Sequence, residues 1–392
     1  MRFLHTSDWH VGKTIGGKSR GAEHRAVLQE ILAMARESAV DSLLVTGDLF
    51  ESAAPGTEAE EIVYTFFRDL GRAAIPAVVI AGNHDHERKL GAVASLLEIV
   101  QVHVQHDFRR PDSGGVIELT ARNGEKAAIG AIPFIPEHRM LRAVDLMGRE
   151  ELPFTSYAEN MKKILADFAV ALARQPIRIL MAHLHVDRSE LGGGERRLDI
   201  GQTYAVNPQS IPIGLHYVAL GHIHRPQAIP APSPTRFAGS PLALDFGETR
   251  QEKSVVLIDV QGPRQPAKIE VIPLRSGRTL RDVRGTLAEL AAFAPEAGDD
   301  YLRVWVDAPG PVPGLAEEVR KLLPNAVHVA LAPSVALEEP APDRLLEGRD
   351  PADVYATYYR EKYRAEAPLE LVGLFRELYA LAGRGPAPED GS

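Results

Sequence analysis

Five short apolar runs in this chain each end in a small cluster of acid, amide or imidazole side chains, and that recurrence constrains the fold more than any other feature. Residues 2–7 lead into Asp8-Trp9-His10, 42–46 into Gly47-Asp48, and 77–81 into Gly82-Asn83-His84-Asp85. Further on, 177–181 leads into Ala182-His183, and 217–220 into Gly221-His222-Ile223-His224. Successive side chains of a strand point to opposite faces, so Asp8 and His10 point the same way while Trp9 packs on the other side. A carboxylate and an imidazole so placed can share one metal ion. Taken alone, an Asp and a His two residues apart are more often part of a surface turn; the ordered recurrence of the pattern decides otherwise.

Between the first runs the apolar spacing is helical. Val27, Leu28, Ile31, Leu32 and Ala35 make one buried stripe; Ile62, Val63, Phe66, Phe67 and Leu70 make another on a helix expected over 58–74. Alternating strands and helices predict an α/β layered core of β-sheets flanked by helices, with ligands gathered beyond the carboxyl ends of the strands. Strands are expected at 116–120 and 127–132, a long helix at 156–173, and a polar loop over 187–201 containing Gly192, Gly193 and Gly194. A strand over 236–238 runs into Gly239-Ser240-Pro241, and 254–260 is the last strand of this region.

A chain of 392 residues predicts two or three domains, because single cores rarely grow beyond roughly 250–300 residues. The pattern breaks near Gln261, where Gly262, Pro263 and Pro266 follow closely. The expected organisation is a catalytic domain over 1–262 and a small α+β domain over 267–335. In the second, a βαβαβ order is read from strand 269–272, a helix stripe of Leu280, Val283, Leu287 and Leu290, strand 301–307, helix 315–323 and strand 327–331. Residues 336–350, with Pro340 and Pro342, read as a linker. Two amphipathic helices are expected over 351–382 and a disordered tail over 383–392. Five of the ten tyrosines fall between Tyr355 and Tyr379, which suits a docking face for a partner, because tyrosine buries a large ring with its hydroxyl still satisfied.

The absence of cysteine excludes disulfides, thiolate catalysis and cysteine-rich zinc sites, and is compatible with a reducing compartment. No apolar run approaches the roughly 18 residues of a membrane helix, and the first residues read as a strand rather than a signal sequence. A cytoplasmic protein without membrane contact is expected. The net charge of −9 weighs mildly against a nucleic-acid binder. Basic residues nevertheless cluster as Lys13, Lys18, Arg20 and Arg25, as Arg109-Arg110 and as Arg196-Arg197. Each cluster alone reads as solvated surface; the first, on a glycine-rich loop over 12–21, is also placed to meet phosphates.

Asp8, His10, Asp48, Asn83, His183, His222 and His224 are too many donors for one ion. They suit two divalent cations, about 3.5–4 Å apart, that lower the pKa of a shared water and clamp a phosphoryl group. Oxygen and nitrogen donors without sulfur favour manganese, with magnesium, iron or zinc possible. His84, directly after Asn83, is a candidate acid for an alkoxide leaving group. Strand alternation puts His185 on the same side as His183, so either could be the ligand.

These residues resemble the calcineurin-like metallophosphoesterases. Within them the chain is similar to the family of SbcD nuclease subunits, through Lys18-Ser19-Arg20 with Ala22-Glu23-His24, Ala219-Leu220-Gly221-His222-Ile223-His224-Arg225, and Gly239-Ser240-Pro241. The resemblance implies one ion held by Asp8, His10, Asp48 and His224 and another by Asp48, Asn83, His183 and His222. Asp48 would bridge them and His84 would be the catalytic histidine. It further implies a DNA-capping second domain and manganese-dependent cutting of DNA, as a 3′–5′ exonuclease on duplex ends and an endonuclease on single strands and hairpins. The implied setting is DNA repair and recombination, with SbcC, a coiled-coil ATPase, as partner of a homodimer within a heterotetramer. Two rivals are a phosphoesterase of phosphoproteins or small esters and a non-catalytic scaffold. The first departs from Leu49-Phe50-Glu51-Ser52, where phosphoprotein phosphatases carry Asp-Arg-Gly; the second does not need the intact donor set found here.

Overall fold

In the computed structural model, the residues described are 1–137, 139–140, 156–193, 195, 205–308, 310, 313–332, 355–356, 359–360, 366–369 and 371–375. The chain divides into two units, Met1–Ala332 and Pro333–Ser392.

The first unit is built on two six-stranded sheets. One contains β1 (Arg2–Thr6), β4 (Ser42–Val45), β5 (Ala77–Ile80) and β6 (Val102–Gln105), all parallel in that order. On its far side β13 (Ser254–Asp259) pairs antiparallel with β1, and β14 (Lys268–Pro273) antiparallel with β13. The other sheet runs β11 (Gln227–Ile229), β12 (Thr235–Phe237), β10 (Tyr217–Gly221), β9 (Ile177–His183), β8 (Lys126–Ile132) and β7 (Val116–Thr120). A two-stranded hairpin, β2 (Thr14–Ile15) with β3 (Lys18–Ser19), stands apart from both.

The strands are apolar on both faces, and alternation explains why. Phe3, Leu44, Val78 and Ile80 point inward and pack with Ile129, Ala131, Ile179, Met181, Tyr217 and Ala219 of the other sheet. Leu4, Leu43, Val45, Ala77 and Val79 point outward against α1 (Gly21–Glu37) and α2 (Thr57–Arg72). On the opposite outer face, Ala128, Leu180, Ala182, Val218 and Leu220 meet α4 (Tyr157–Leu172), whose Ser156 caps it by accepting the Glu159 N–H. α3 (Glu87–Glu98) precedes β6. The result is a layered α/β/β/α core whose parallel strands deliver their carboxyl ends to one rim.

Beyond Pro273 comes a three-stranded parallel sheet, β15 (Leu280–Gly285), β16 (Tyr301–Val306) and β17 (Ala326–Leu331). α5 (Leu287–Phe293) and α6 (Leu315–Leu322) cross between its strands over a core of Leu290, Leu302, Val304 and Val319. The expected βαβαβ order is present, with its parts displaced. Residues 269–272, read as the first strand of this unit, instead form the edge of the first sheet, because their register onto β13 continues the ladder that starts at β1. Leu280 and Val283, read as a helix stripe, lie on β15; the helix begins only after Thr286, whose capping box with Glu289 fixes its start. The break between the two parts therefore lies between Pro273 and Leu280 rather than at 262–267. The α3 helix, the β6 strand and the hairpin inside the glycine-rich loop were not anticipated by periodicity.

In the second unit, Tyr355 stacks on Phe375 at 4.5 Å with ring planes 6° apart, so part of the tyrosine stripe packs inside the helix pair. The expected linker over 336–350 and tail over 383–392 lie outside the described residues.

Trp9, between two donor residues, is fully buried with Phe66 and Phe67 at 5.1 and 5.7 Å, and its indole N–H donates to Thr6 Oγ1 at 3.0 Å. Trp9→Ala is expected to destabilise the fold by about 3–5 kcal/mol, the usual cost of truncating a buried aromatic. Urea unfolding monitored by circular dichroism checks this; a loss under about 1 kcal/mol would contradict the packing described.

Candidate metal centre

The rim residues are forced into unusual backbone conformations. Asp8, His10, Asp48 and His222 all have positive φ, at 51°, 47°, 51° and 101°. Such angles are uncommon outside glycine and persist only where surrounding packing imposes them. The glycines beside them make the approach possible. Gly47 has φ of 94°, and a Cβ there would collide with His183 Nδ1; a Cβ on Gly221 would meet the Thr46 carbonyl oxygen of the facing sheet.

These turns bring all seven expected donors together. Asp8, His10, Asp48, His183, His222 and His224 are each at most 3% exposed. One pole comprises Asp8, His10 and His224, which can offer donor atoms within 4.8 Å of one another. At the other, Asn83 Oδ1 lies 2.9 Å from both His183 Nε2 and His222 Nδ1. Asp48 sits between, its Oδ2 at 3.5 Å from His10 Nε2 and from His183 Nε2. Spacing left His183 and His185 open; the structure places His183 in the cluster, whereas the His185 ring lies 6.3 Å from that of His222, and its buried Nδ1 has no hydrogen-bond partner.

The imidazoles are held from behind. His10 Nδ1 donates to Glu51 Oε2 at 3.0 Å, His224 Nδ1 to Glu248 Oε1 at 3.0 Å and His183 Nδ1 to the Thr46 carbonyl at 2.7 Å. Each contact fixes the tautomer and turns the other nitrogen inward. His10 Nε2 is then buried with no hydrogen-bond partner, an arrangement that costs about 1–3 kcal/mol unless something else binds there. Burial pulls His10 and His183 down to about 3, so both are neutral and ready to ligate. His224 feels the same burial, but the hydrogen bond and charge of Glu248, with Asp8 and Glu195, push it upward. An inward-facing lone pair and a nitrogen–oxygen donor set fit divalent cations.

Glu51, Glu248 and Thr46 were not found by sequence reasoning, and no spacing signal could have found them, since they reach the imidazoles through tertiary packing. Glu51 also accepts from Lys13 Nζ at 2.8 Å, and its main-chain carbonyl lies 2.7 Å from His84 Nδ1. His84 donates its backbone N–H to Asp48 Oδ1 at 2.8 Å, and its ring meets that of His10 edge-on at 4.5 Å. Asp85, half-buried and pushed up to about 6 by desolvation against the pull of backbone N–H groups, ties the turns together. Its carboxylate accepts from the N–H groups of Gly82, Leu49 and Phe50.

The four basic residues proposed for DNA have different fates. Arg20 is not available to a phosphate. It is 1% exposed, and its guanidinium donates to Glu23 Oε1 and Oε2 and to the Ala243 carbonyl, an arrangement that burial demands of an arginine. Lys13 pairs with Glu51, Lys18 Nζ donates to the Pro324 carbonyl at 3.0 Å, and Arg25 pairs with Glu58 and Glu61. Arg196 and Arg197 lie outside the described residues.

Without metal, burial pushes the Asp8 carboxyl up to about 6, against the pull of His224, Ser7 and the His222 N–H. Because His224 is also raised, a divalent cation binding there must displace protons in acid. Affinity should therefore fall as pH drops from neutral through about 6, with proton release rising on the acid side. Calorimetric titrations in buffers of different ionisation heat measure both; a pH-independent affinity would refute the assignment of Asp8 as a ligand.

Comparison with known proteins agrees with this geometry. Residues 1–226 match the family described as calcineurin-like phosphoesterase, and residues 276–363 match one described as type 5 capsule protein repressor C-terminal domain. The second match begins at the break seen in the structure, after Pro273. The chain is 30% identical to the SbcD subunit of the SbcCD nuclease of Bacillus subtilis, covering 96% of this chain and 97% of that one. It is 32% identical to the corresponding SbcD protein of Rhodobacter capsulatus over 92% and 94% of the two chains, and 30% identical to that of Escherichia coli K12 over 78% and 77%. No helix among the described residues is long and apolar enough to cross a membrane. With donors for a metal pair at the rim of this core, the chain belongs to the calcineurin-like phosphoesterases, metal-dependent hydrolases, and within them to the family of SbcD subunits.

Proposed function

We propose that this chain is a two-metal, manganese-dependent DNA nuclease, a 3′–5′ exonuclease on duplex ends and an endonuclease on single strands and hairpins. It works in DNA repair and recombination with an SbcC ATPase. The observation that carries the reading is the buried donor set with Asp48 between two poles, in a chain aligned with nuclease subunits along nearly its whole length. Asp8, His10, Asp48 and His224 would hold one ion and Asp48, Asn83, His183 and His222 the other. A divalent pair there supplies Lewis-acid neutralisation of a phosphodiester and a nucleophile at neutral pH.

The chain's own residues supply the rest. A carbonyl can only accept, so the contact with Glu51 keeps a proton on His84 Nδ1; as the imidazolium, His84 would carry its second proton on Nε2 and could deliver that one to the departing alkoxide, ending as the neutral Nδ1–H tautomer. Glu51 thus serves two histidines, through its carboxylate and its carbonyl. The βαβαβ part stands beside the rim through the hairpin: Lys18 reaches Pro324, and Arg20 lies over the Tyr301 ring at 5.8 Å. This supports its reading as a DNA-capping domain, with Lys13, Lys18 and Arg25 as candidate phosphate contacts. At the end of α3, Leu96 and the following Ile99 are 63% and 78% exposed, which supports pairing of two copies of the chain. In the second unit Leu369 and Leu374 are 90% and 52% exposed, which supports docking of that helix pair on SbcC.

Manganese-dependent cleavage of hairpin DNA, abolished by EDTA, is expected to exceed hydrolysis of a phosphomonoester; the opposite preference would indicate a small-ester phosphatase. Asp48→Ala should abolish cleavage and metal loading together. His84→Ala should retain the metals and cut about 10²–10⁴-fold more slowly, the range for a lost general acid. A His84→Ala protein cutting at the wild-type rate would overturn the role assigned to that residue.

A chain ending near Glu338 should keep its metals and cut single strands but no longer co-purify with SbcC. Complex formation at undiminished affinity would place the main partner surface elsewhere.

A further inference from the structure

One side chain at the rim differs in kind from the rest. Phe134, on the segment that follows β8, is an apolar ring beside donors that are all acid, amide or imidazole, and it is half-buried between the buried Pro133 and Ile135. Among the described residues it joins none of the apolar cores. Its ring lies instead against two candidate ligands. It is 6.1 Å from the His222 ring with the planes 20° apart, and 6.1 Å from the His183 ring at 89°. Phe134 therefore borders the pole of Asn83, His183 and His222 with part of its surface open to solvent.

The ring is held in place from both sides. The Phe134 N–H donates to the Ala81 carbonyl at 2.9 Å, directly before Gly82-Asn83, and Ile135 sits in the same core as Leu184 and Ile223. Further along, the Arg139 guanidinium pairs with the Glu87 carboxylate at the start of α3 through two bonds, one of them at 2.6 Å. A segment tied in this way has little freedom left to lose when something stacks on the ring. Support of the imidazoles does not account for the exposure. His183 and His222 are buried and each within 2.9 Å of Asn83 Oδ1, whereas a phenylalanine left half open forgoes part of the gain from burial.

A phosphodiester held at this rim carries a nucleoside on each side, one sugar away from the phosphate. Every nucleobase has a π-face, so an aromatic ring beside the scissile phosphate can take any base, and contacts of this kind tolerate sequence. The phosphate ester of a small alcohol offers the ring nothing to stack on. We infer that Phe134 is a base-contacting residue: its open side stacks on the nucleobase of one nucleotide flanking the scissile phosphate and so favours nucleic acid over small phosphate esters. The inference rests on the nuclease reading proposed above, and different results of one experiment overturn the two.

The test is a cycle of variant against substrate, run with the full chain and manganese. The substrate is a short duplex whose 3′-terminal bond is followed, either intact or abasic at the nucleotide on one side or the other of that bond. Phe134→Leu should lower kcat/KM on the intact end about 5–150-fold, mainly through KM, the worth of one stacked base. Removing the base at one of the two positions should cost the wild type a similar factor and the variant almost nothing more, because ring and base are lost as a pair. Phe134→Tyr keeps the π-face and should cut within about threefold of the wild type. Manganese affinity, measured by calorimetry, should be unchanged in Phe134→Leu. Undiminished cleavage by Phe134→Leu would overturn the stacking role. So would losses that multiply at both abasic positions, or weakened manganese binding, either of which would make the ring a support for the imidazoles. A wild-type chain that hydrolyses a small phosphate ester with manganese but leaves DNA intact would instead overturn the nuclease reading.

Discussion

Two carboxylates, Asp8 and Asp48, buried side by side among imidazoles, are the constraint on which the rest of this structure depends. Removing a carboxylate from water costs several kcal/mol even after relaxation, and burying two close together adds their repulsion. The chain answers part of that cost with N–H groups: His222 donates to both oxygens of Asp8, and His84 donates to Asp48. The remainder calls for cations, and the inward-facing nitrogens of the neutral His10 and His183 are arranged to hold them. The upward displacement of Asp8 has the same cause, burial that these N–H groups only partly offset.

Holding that arrangement requires a rigid support, which the layered core supplies. Strands buried on both faces cannot slip, because a one-residue shift would exchange the faces that Phe3 and Leu4 present. Each candidate donor sits at a strand end or within four residues of one, so the sheets transmit their order to the rim. Four positive-φ residues stay at the rim because strand ends, glycines and the Asp85 carboxylate leave the chain no other path. Between the sheets, His5 bonds to Tyr217 and Thr46 from opposite edges of its ring. Burial keeps it neutral at about 3, so it serves as a core polar link rather than a ligand.

The buried pairing of Arg20 with Glu23 shows how the C-terminal part is tied to the same rim. Glu23 also accepts the backbone N–H of Arg278 at 2.8 Å, just before β15, and Arg278 lies over the Tyr301 ring at 5.1 Å. The segment that begins with His10 therefore ends in the contact that seats the βαβαβ part. An arginine that looked like a phosphate contact is instead a structural tie, and its position in sequence, inside a basic glycine-rich loop, gave no sign of it.

The candidate donor positions, the layered class and much of the order of elements were legible in the sequence because each rests on local information. A strand displays its period of two within a few residues, and its end is where side chains such as Asp8, Asp48 and His222 can converge. The match of residues 27–35 and 62–70 to helix faces is equally local. What only the tertiary structure decided depends on contacts between distant residues. Whether 269–272 closes the first sheet or opens the second follows from pairing with β13. That His183 and not His185 meets Asn83 and Asp48 follows from the approach of those two residues from the facing sheet. The carboxylates behind His10 and His224 lie 41 and 24 residues away in the chain, and no periodicity links an imidazole to a hydrogen-bond partner at that separation.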